Sequence, residues 1–209
     1  MALRIIACAV VGWFFGGWNG AILISRAKMH EDVRSKGSGN AGLTNFLRSY
    51  GGAATLLVLL IDAGKTVAAC LIATLILPQD TVLAKITAGL AVQIGHIFPV
   101  FFGFRGGKGI LCAGVAALVV DWRIFAIAFP LFLIVFFATR YVSLASITGM
   151  AAMGVLFAVF YADRPQVWCL GVAMAALAIF MHRSNIVRLV KGTERKTHFH
   201  RAKNEEETR

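Results

Sequence analysis

Charge is what this 209-residue chain has least of. Only 15% of its residues are charged against 58% hydrophobic, and the mean hydropathy is +0.75. Soluble domains carry about 25% charged residues, so the composition excludes an ordinary soluble domain and reads as a membrane protein. Acidic side chains are scarcer still, with 10 Asp and Glu against 21 Lys and Arg. A net charge of +11 could suit nucleic acid. In a membrane chain, however, cations gather in cytoplasmic loops to fix orientation, so nucleic acid is not an expected partner. Cys8, Cys70, Cys112 and Cys169 lie in apolar runs with no C-x-x-C pair and no histidine at ligand spacing. They read as small buried residues, and no disulfide, metal site or cofactor is expected.

Further absences narrow the chemistry. No G-x-S-x-G occurs, which removes the nucleophile elbow of serine hydrolases. None of the five histidines has Asp five positions later, so the H-x4-D acyltransferase arrangement is missing. Lys108 is not in a P-loop, because Phe102 holds the first glycine position and Gly109 replaces Ser/Thr. There is neither a Gly/Ser linker nor an internal repeat. The expectation is one transmembrane domain over residues 1–197 and a frayed, charged tail over 198–209.

What is present is a series of apolar runs. Residues 5–24, 53–77 and 82–102 can each cross a hydrocarbon core of about 30 Å. The first follows Arg4 and superficially resembles a signal peptide, but no A-x-A-like site ends it, so a retained span is expected. The run 110–139 is interrupted by Asp121-Trp122-Arg123. Read as two spans, it puts residues 34–48, 105–108, Arg140 and the basic tail on one side, leaving Arg4, Lys85, Arg123 and Arg164 opposite. Read as one, it sends the tail across the membrane, against the positive-inside rule. Residues 142–161 and 166–181 complete the set. The expected fold is an all-α integral membrane protein, a seven-transmembrane-helix bundle with its N-terminus external and its C-terminus cytoplasmic. The piece after Lys108 has only ~11–13 residues and cannot cross alone, so residues 106–109 must dip into the bilayer or be covered by neighbouring helices. Asp62 and Lys65 share one face of the second run; a structural ion pair is expected, with lining of a site as the alternative.

Three polar, glycine-rich blocks fall on the cytoplasmic face of this topology. The first, R-S-K-G-S-G-N-A-G-L-T-N-F-L-R (34–48), offers Ser38, Gly39, Asn40, Thr44, Asn45 and Arg48. Glycines let the backbone take positive φ and approach a ligand, and with hydroxyl, amide and cationic donors the natural guest is a phosphate. Taken alone, the block could equally be a flexible loop whose cations hold topology. The second, G-H-I-F-P-V-F-F-G-F-R-G-G-K-G (95–109), adds His96, Gly106, Gly107 and Lys108. The third, 182–196, puts His182, Asn185 and Arg188 on one side of a helix, and the R-Y-V-S-L-A-S stretch from Arg140 adds Ser143. With almost no carboxylate among them, the blocks suit phosphates on a substrate with a greasy part. A phosphate or phosphosugar transporter is the alternative, disfavoured because such sites lie near the midplane between repeats. A lipid-binding scaffold would need the cations but not the repeated glycine turns.

Those three blocks, in that order and at those separations, closely resemble the signature blocks of the bacterial acyl-phosphate:glycerol-3-phosphate acyltransferases (PlsY family), over essentially the whole chain. The resemblance implies a seven-helix enzyme of the bacterial inner membrane with its active site facing the cytoplasm. Its reaction would move a fatty acyl group from acyl phosphate to the sn-1 hydroxyl of glycerol 3-phosphate, giving lysophosphatidic acid and phosphate. Partners would be these substrates, membrane lipid and the upstream enzyme that forms acyl phosphate. The resemblance places Ser38, Arg48, Lys108, Ser143, His182 and Asn185 around the phosphates. Ser38, Lys108 and His182 are the expected catalytic residues. Gly39, Asn40, Thr44, Asn45, Arg48, His96, Gly106, Gly107, Ser143, Asn185 and Arg188 are expected to bind substrate. In that scheme Lys108 and the Gly106 and Gly107 amides hold the acyl-phosphate head, Arg48, His182 and Asn185 hold the glycerol phosphate, and Ser38 bridges. His182 serves as a donor, and no side chain is needed as general base. Two departures stand out. Thr66 follows Lys65 where family members commonly have glycine, and 109–112 reads G-I-L-C where many have G-V-A-T, removing a hydroxyl near Lys108.

Overall fold

The computed structural model describes residues 1–197, so the expected charged tail lies outside the described residues, which form helices and no strand. The first apolar run is not one helix. It divides into α1 (Ala2–Gly16) and α2 (Gly20–Met29). At the break the buried Asn19 side chain accepts from the Ile22 amide at 3.1 Å, capping α2, and donates to the Ala41 carbonyl at 3.0 Å. The stretch expected to be one polar loop also holds a helix, α3 (Leu43–Tyr50), after a short turn at Val33–Ser35. Two long helices follow, α4 (Gly52–Ile76) and α5 (Thr81–Ile97).

The ambiguous run resolves into two helices, α6 (Ile110–Val120) and α7 (Trp122–Thr139). Asp121 separates them, its carboxylate accepting from the Arg123 amide and pairing with that guanidinium at 2.7 Å. The chain ends in α8 (Val142–Phe160), α9 (Pro165–Phe180) and the short α10 (Arg183–Val190). By length and composition, five segments of the described residues can cross a membrane, α1 and α2 together making one. A sixth arises if α9 and α10, bent by 54° to each other, are taken as one. The 11 residues of α6 fall short, at about 16 Å of rise. The expected count of seven therefore exceeds what helix length alone supports.

Two features hold the bundle together. Gly12 and Gly16 on α1 press against α5, where an added Cβ would strike the Ala88 and Val92 carbonyls, and Gly95 on α5 presses against the Trp13 carbonyl. Such small-residue contacts let backbones approach closely where lipid offers no hydrophobic drive. Away from that seam, an apolar core of Ala88, Ala116, Met153, Phe157 and Met174 joins α5, α6, α8 and α9. A smaller cluster of Ile22, Val33, Phe46 and Val58 anchors the first polar block to α2 and α4. By contrast α7 buries only Ile124 and Ala128, leaving Ile127, Ile134 and Phe137 outward. Cys8, Cys70 and Cys112 are buried as expected, but Cys169 is exposed on α9.

Gly16→Leu should split the α1–α5 seam and lower thermal stability in detergent sharply, since overpacking costs ~1–3 kcal/mol or more. Gly64→Ala on α4, where an added Cβ meets nothing within 4 Å, should be neutral or slightly stabilising. Equal melting shifts for the two variants would remove the seam from the account.

Candidate active site

The first polar block is shaped by its own amide side chain. The Asn45 carboxamide accepts from the Ser38 amide at 2.9 Å and donates to the Val33 and Lys36 carbonyls at 3.2 and 3.1 Å. The chain winds round it with Gly37 and Gly39 at φ of 58° and 72°, the left-handed region where glycine is unstrained. Of the block's cations, Arg34 is spent on structure. It pairs with Asp32 at 2.8 Å and donates to the Phe102 and Arg105 carbonyls, tying block one to block two. Lys36 pairs with Glu31 at 3.0 Å. Only Arg48, on α3, reaches the cavity that the blocks enclose.

The second block doubles back on α5. The Gly106 amide donates to the Ile97 carbonyl at 3.0 Å and the Gly107 amide to the His96 carbonyl at 3.1 Å. Both N–H groups are thus consumed, and neither glycine lines the main cavity. This corrects the expectation that they hold an anion. An added Cβ on Gly106 would strike the His96 carbonyl, and one on Gly107 would strike the His96 ring, so glycine is there for close packing. The tight turn delivers Lys108 to the start of α6, where its ammonium donates to the Asn185 carboxamide oxygen.

The third block supplies a residue that the sequence reading gave no role. Gly192, at φ 69°, reverses the chain after α10 and swings Glu194 back. Its carboxylate accepts from Ser143 at 2.7 Å, from Asn185 at 2.6 Å and from Arg188 at 2.6 Å. Burial works against that charge, but the hydrogen bonds from Asn185, Ser143 and Arg188 outweigh it and hold the carboxyl below its usual range. The expectation of almost no carboxylate here was therefore incomplete. Three donors converging on one anion were visible in the sequence only as the Glu two residues past Gly192.

These elements surround a cavity of about 910 Å³. Its polar head takes in Ser38, Gly39, Asn40, Thr44, Asn45, Arg48, Lys108, Ser143, His182, Asn185 and Arg188, with Asp62 and His96 deeper in its wall. Every expected site residue except Gly106 and Gly107 is thus brought together. The apolar limb runs between Leu111, Val115 and Leu118 of α6, Phe125, Phe129 and Phe132 of α7, and Met150 and Met153 of α8. The α7 rings form a stacked ladder, with Phe125 and Phe129 centroids 4.9 Å apart and Phe129 and Phe132 6.0 Å apart. A smaller, polar pocket of about 630 Å³ lies behind Gly39 and Gly106.

The electrostatics follow from burial. Desolvation pulls the Lys108 ammonium down to about 8, Glu194 opposes that fall, and Arg188 and Arg48 deepen it. His182, beyond the end of α9, is pulled down to about 4 by burial and by Lys108, although its contact with the Ala178 carbonyl pulls the other way. Its ring is therefore neutral at neutral pH. Among the described residues no group of three or more His, Cys, Asp or Glu could hold a metal ion.

A multi-pass membrane fold whose cationic head opens into an apolar channel defines a class: a membrane enzyme that works on a phosphate compound with a long apolar tail. The model of the glycerol-3-phosphate acyltransferase family matches residues 6–192. The chain is 39% identical over 191 residues to a glycerol-3-phosphate acyltransferase of Thermoanaerobacter sp. (strain X514), covering 91% of this chain and 94% of that protein. It is 38% identical over 196 residues to one of Mesorhizobium japonicum, covering 94% and 97%. A crystal structure of PlsY, an integral membrane glycerol 3-phosphate acyltransferase in its glycerol 3-phosphate form, superposes with a TM-score of 0.84 at 33% identity, over 93% of this chain and 96% of that one. The lysophosphatidic acid form of PlsY gives a TM-score of 0.80 at 32% identity, over 93% and 95%. This chain belongs to the glycerol-3-phosphate acyltransferase family, PlsY type, and is an enzyme of phospholipid biosynthesis.

A lysine holds phosphate as its cation, so with Lys108 as the proposed phosphate ligand kcat/KM should fall as pH rises through about 8. An unperturbed lysine would hold its charge to above pH ~10. Because Glu194 supports the Lys108 charge, Glu194→Gln should move that fall to lower pH. An unmoved or upward-shifted alkaline limb would contradict the assignment.

Proposed function

We propose that this enzyme transfers a fatty acyl group from acyl phosphate to the sn-1 hydroxyl of glycerol 3-phosphate, releasing lysophosphatidic acid and phosphate. The observation that carries the reading is the single cavity that joins a cationic head to an apolar limb. Two anions can sit side by side in that head while an acyl chain follows the α6–α7–α8 channel. PlsY, with which the fold is shared, is described in glycerol 3-phosphate and lysophosphatidic acid forms.

The chemistry asks little of the protein beyond placement. Acyl phosphate is already activated. The glycerol oxygen bonds to the acyl carbon, the bond from that carbon to the phosphate oxygen breaks, and the hydroxyl proton passes to the departing phosphate. Lys108 and Ser38 hold the acyl-phosphate head, while Arg48, Asn185 and Arg188 hold the glycerol phosphate, with Ser143 and Glu194 fixing the position of Asn185. Orientation and fixed positive charge then supply the rate. Phosphate takes the proton, so no side chain is indispensable as base.

The bundle spans the bacterial inner membrane seven times in this reading, with α6 and α9 as short spans. Its N-terminus is external, and the cavity head faces the cytoplasm. The upstream enzyme that forms acyl phosphate is a natural neighbour at that face. A reporter after Arg209 should be cytoplasmic and one between Asp80 and Val82 external; an external C-terminal reporter would sink this topology.

Purified protein with acyl phosphate and glycerol 3-phosphate should release phosphate. Lys108→Ala should cut that rate by ~10²–10³ or more while the protein still folds into the membrane, and Lys108→Arg should also be poor, since a planar fork cannot replace a point charge in so tight a turn. His96→Ala should stay within about tenfold of the wild type, and His182→Gln should lose less than His182→Ala. A loss of ~10³ for either histidine, rescued by imidazole, would establish a side-chain base and end the phosphate-as-base proposal.

A further inference from the structure

The apolar limb of the cavity ends on a floor. Its lining stops at Leu118 on α6, begins at Phe125 on α7 and stops at Met153 on α8. Val120, Ile124 and Phe157 lie beyond those positions, buried in the apolar core and outside the cavity wall. Past them the three helices are pinned together. The Tyr161 hydroxyl donates to the Asp121 carboxylate at 3.3 Å, and the Arg123 guanidinium lies 5.1 Å from the Phe160 ring centroid. From Ser143 to Met153 the limb therefore follows ten residues of α8, about 15 Å of rise. An extended hydrocarbon chain covers roughly 1.2 Å per bond, a third of an extended residue, so a hexadecanoyl chain needs roughly 18 Å. It does not fit above the floor, whereas an octanoyl chain does.

The excess can leave sideways. Gly114 and Leu118 are about one turn apart on the same face of α6, and so are Phe125 and Phe129 on α7. All four line the cavity, and Leu118 and Phe129 are also 42% exposed. This seam therefore borders both the channel and the outside of the bundle. Gly114 leaves it open. Apart from its own helix and chain neighbours, a Cβ there would meet only Phe125 Cε2, at an ordinary contact distance of 3.8 Å. Gly149, across the channel on α8, is different. A Cβ there would press on the Phe132 Cβ at 3.3 Å, so that glycine serves the α7–α8 packing. No neighbour requires glycine at 114, where mid-helix it is less favourable than alanine. Its space belongs to the channel.

We infer that the gap at Gly114 is a side window through which the acyl tail passes from the channel into lipid. Gly114 is thereby the residue that determines acyl-chain length, and the floor imposes no upper limit. This role rests on the acyl-transfer reading above. Lipid tails are as apolar as the Leu, Phe and Met side chains of the limb, so chain carbons gain little by staying in the protein. Length is discriminated by steric exclusion. With the window open, long tails run out between α6 and α7; with it shut, only chains shorter than the limb fit.

The test compares octanoyl and hexadecanoyl phosphate as acyl donors for the purified enzyme in lipid nanodiscs at saturating glycerol 3-phosphate. The wild type should turn over both. Gly114→Leu fills the window, and its hexadecanoyl-to-octanoyl ratio of kcat/KM should fall at least ~10-fold below the wild-type ratio, the scale on which a pocket rejects one methylene. Referring each ratio to the wild type cancels the unequal partitioning of the two donors into lipid. Leu118→Trp crowds the same window from its exposed rim and should shift the ratio the same way; it decides the matter if Gly114→Leu fails to fold. Gly114→Leu/Phe125→Ala gives the leucine the space of the ring and should restore the ratio. An unchanged ratio in folded Gly114→Leu or in Leu118→Trp would overturn the inference. So would a wild type that accepts octanoyl phosphate and refuses hexadecanoyl phosphate. A wild type that releases phosphate from neither donor would instead sink the acyl-transfer reading, and the window with it.

Discussion

Eleven residues of α6 rise about 16 Å where a hydrocarbon core is about 30 Å thick, and the architecture around the cavity compensates for that shortfall. In the proposed seven-span topology the chain entering α6 travels part of the way without helical hydrogen bonds, and lipid cannot supply them. Block two solves this by bonding back to α5, through the Ile97 and His96 carbonyls, and by lending the Gly106 carbonyl to the Ala41 amide of block one at 3.4 Å. Asn19, Asn45 and Arg34 then satisfy the Ala41, Val33, Lys36, Phe102 and Arg105 carbonyls. A short helix thereby becomes the reason a lysine can lie at the head of an apolar channel.

The same burial governs the charges. Cations in a low-dielectric setting need anions, and in the described, substrate-free chain the anion is Glu194, held by Ser143, Asn185 and Arg188. In the proposed reaction a phosphate arriving among Arg48, Lys108 and Arg188 would add a second negative charge to a head whose cations outnumber the carboxylate, which favours its binding. Asp62 and Lys65 form a separate, neutral pair deeper in the wall.

Most of the helices were legible because hydropathy and a charged interruption are local signals. Asp121-Trp122-Arg123 announced the α6–α7 break, and Asp121 does cap α7 there. The α1–α2 break was missed although G-G-W-N-G sits in the run, because its cause is a long-range bond from Asn19 to Ala41. Likewise α3 is too short and too polar to register as a helix beside true spans. Residue type suggested phosphate for the blocks, and the fold does gather them round one cavity. What glycine does in each was not: a sequence does not say whether Gly107 frees its amide for a ligand or makes room for the His96 ring. Glu194 escaped because the block was read for cations, and only the reversal at Gly192 aims it at three donors.

In the proposed reaction both substrates occupy one cavity together and react directly. Initial rates measured while acyl phosphate and glycerol 3-phosphate are each varied against the other test it most directly. Intersecting double-reciprocal lines, the signature of a ternary complex, are the predicted result. Parallel lines, with an acylated protein trapped when glycerol 3-phosphate is withheld, would mean a covalent acyl-enzyme and contradict the account.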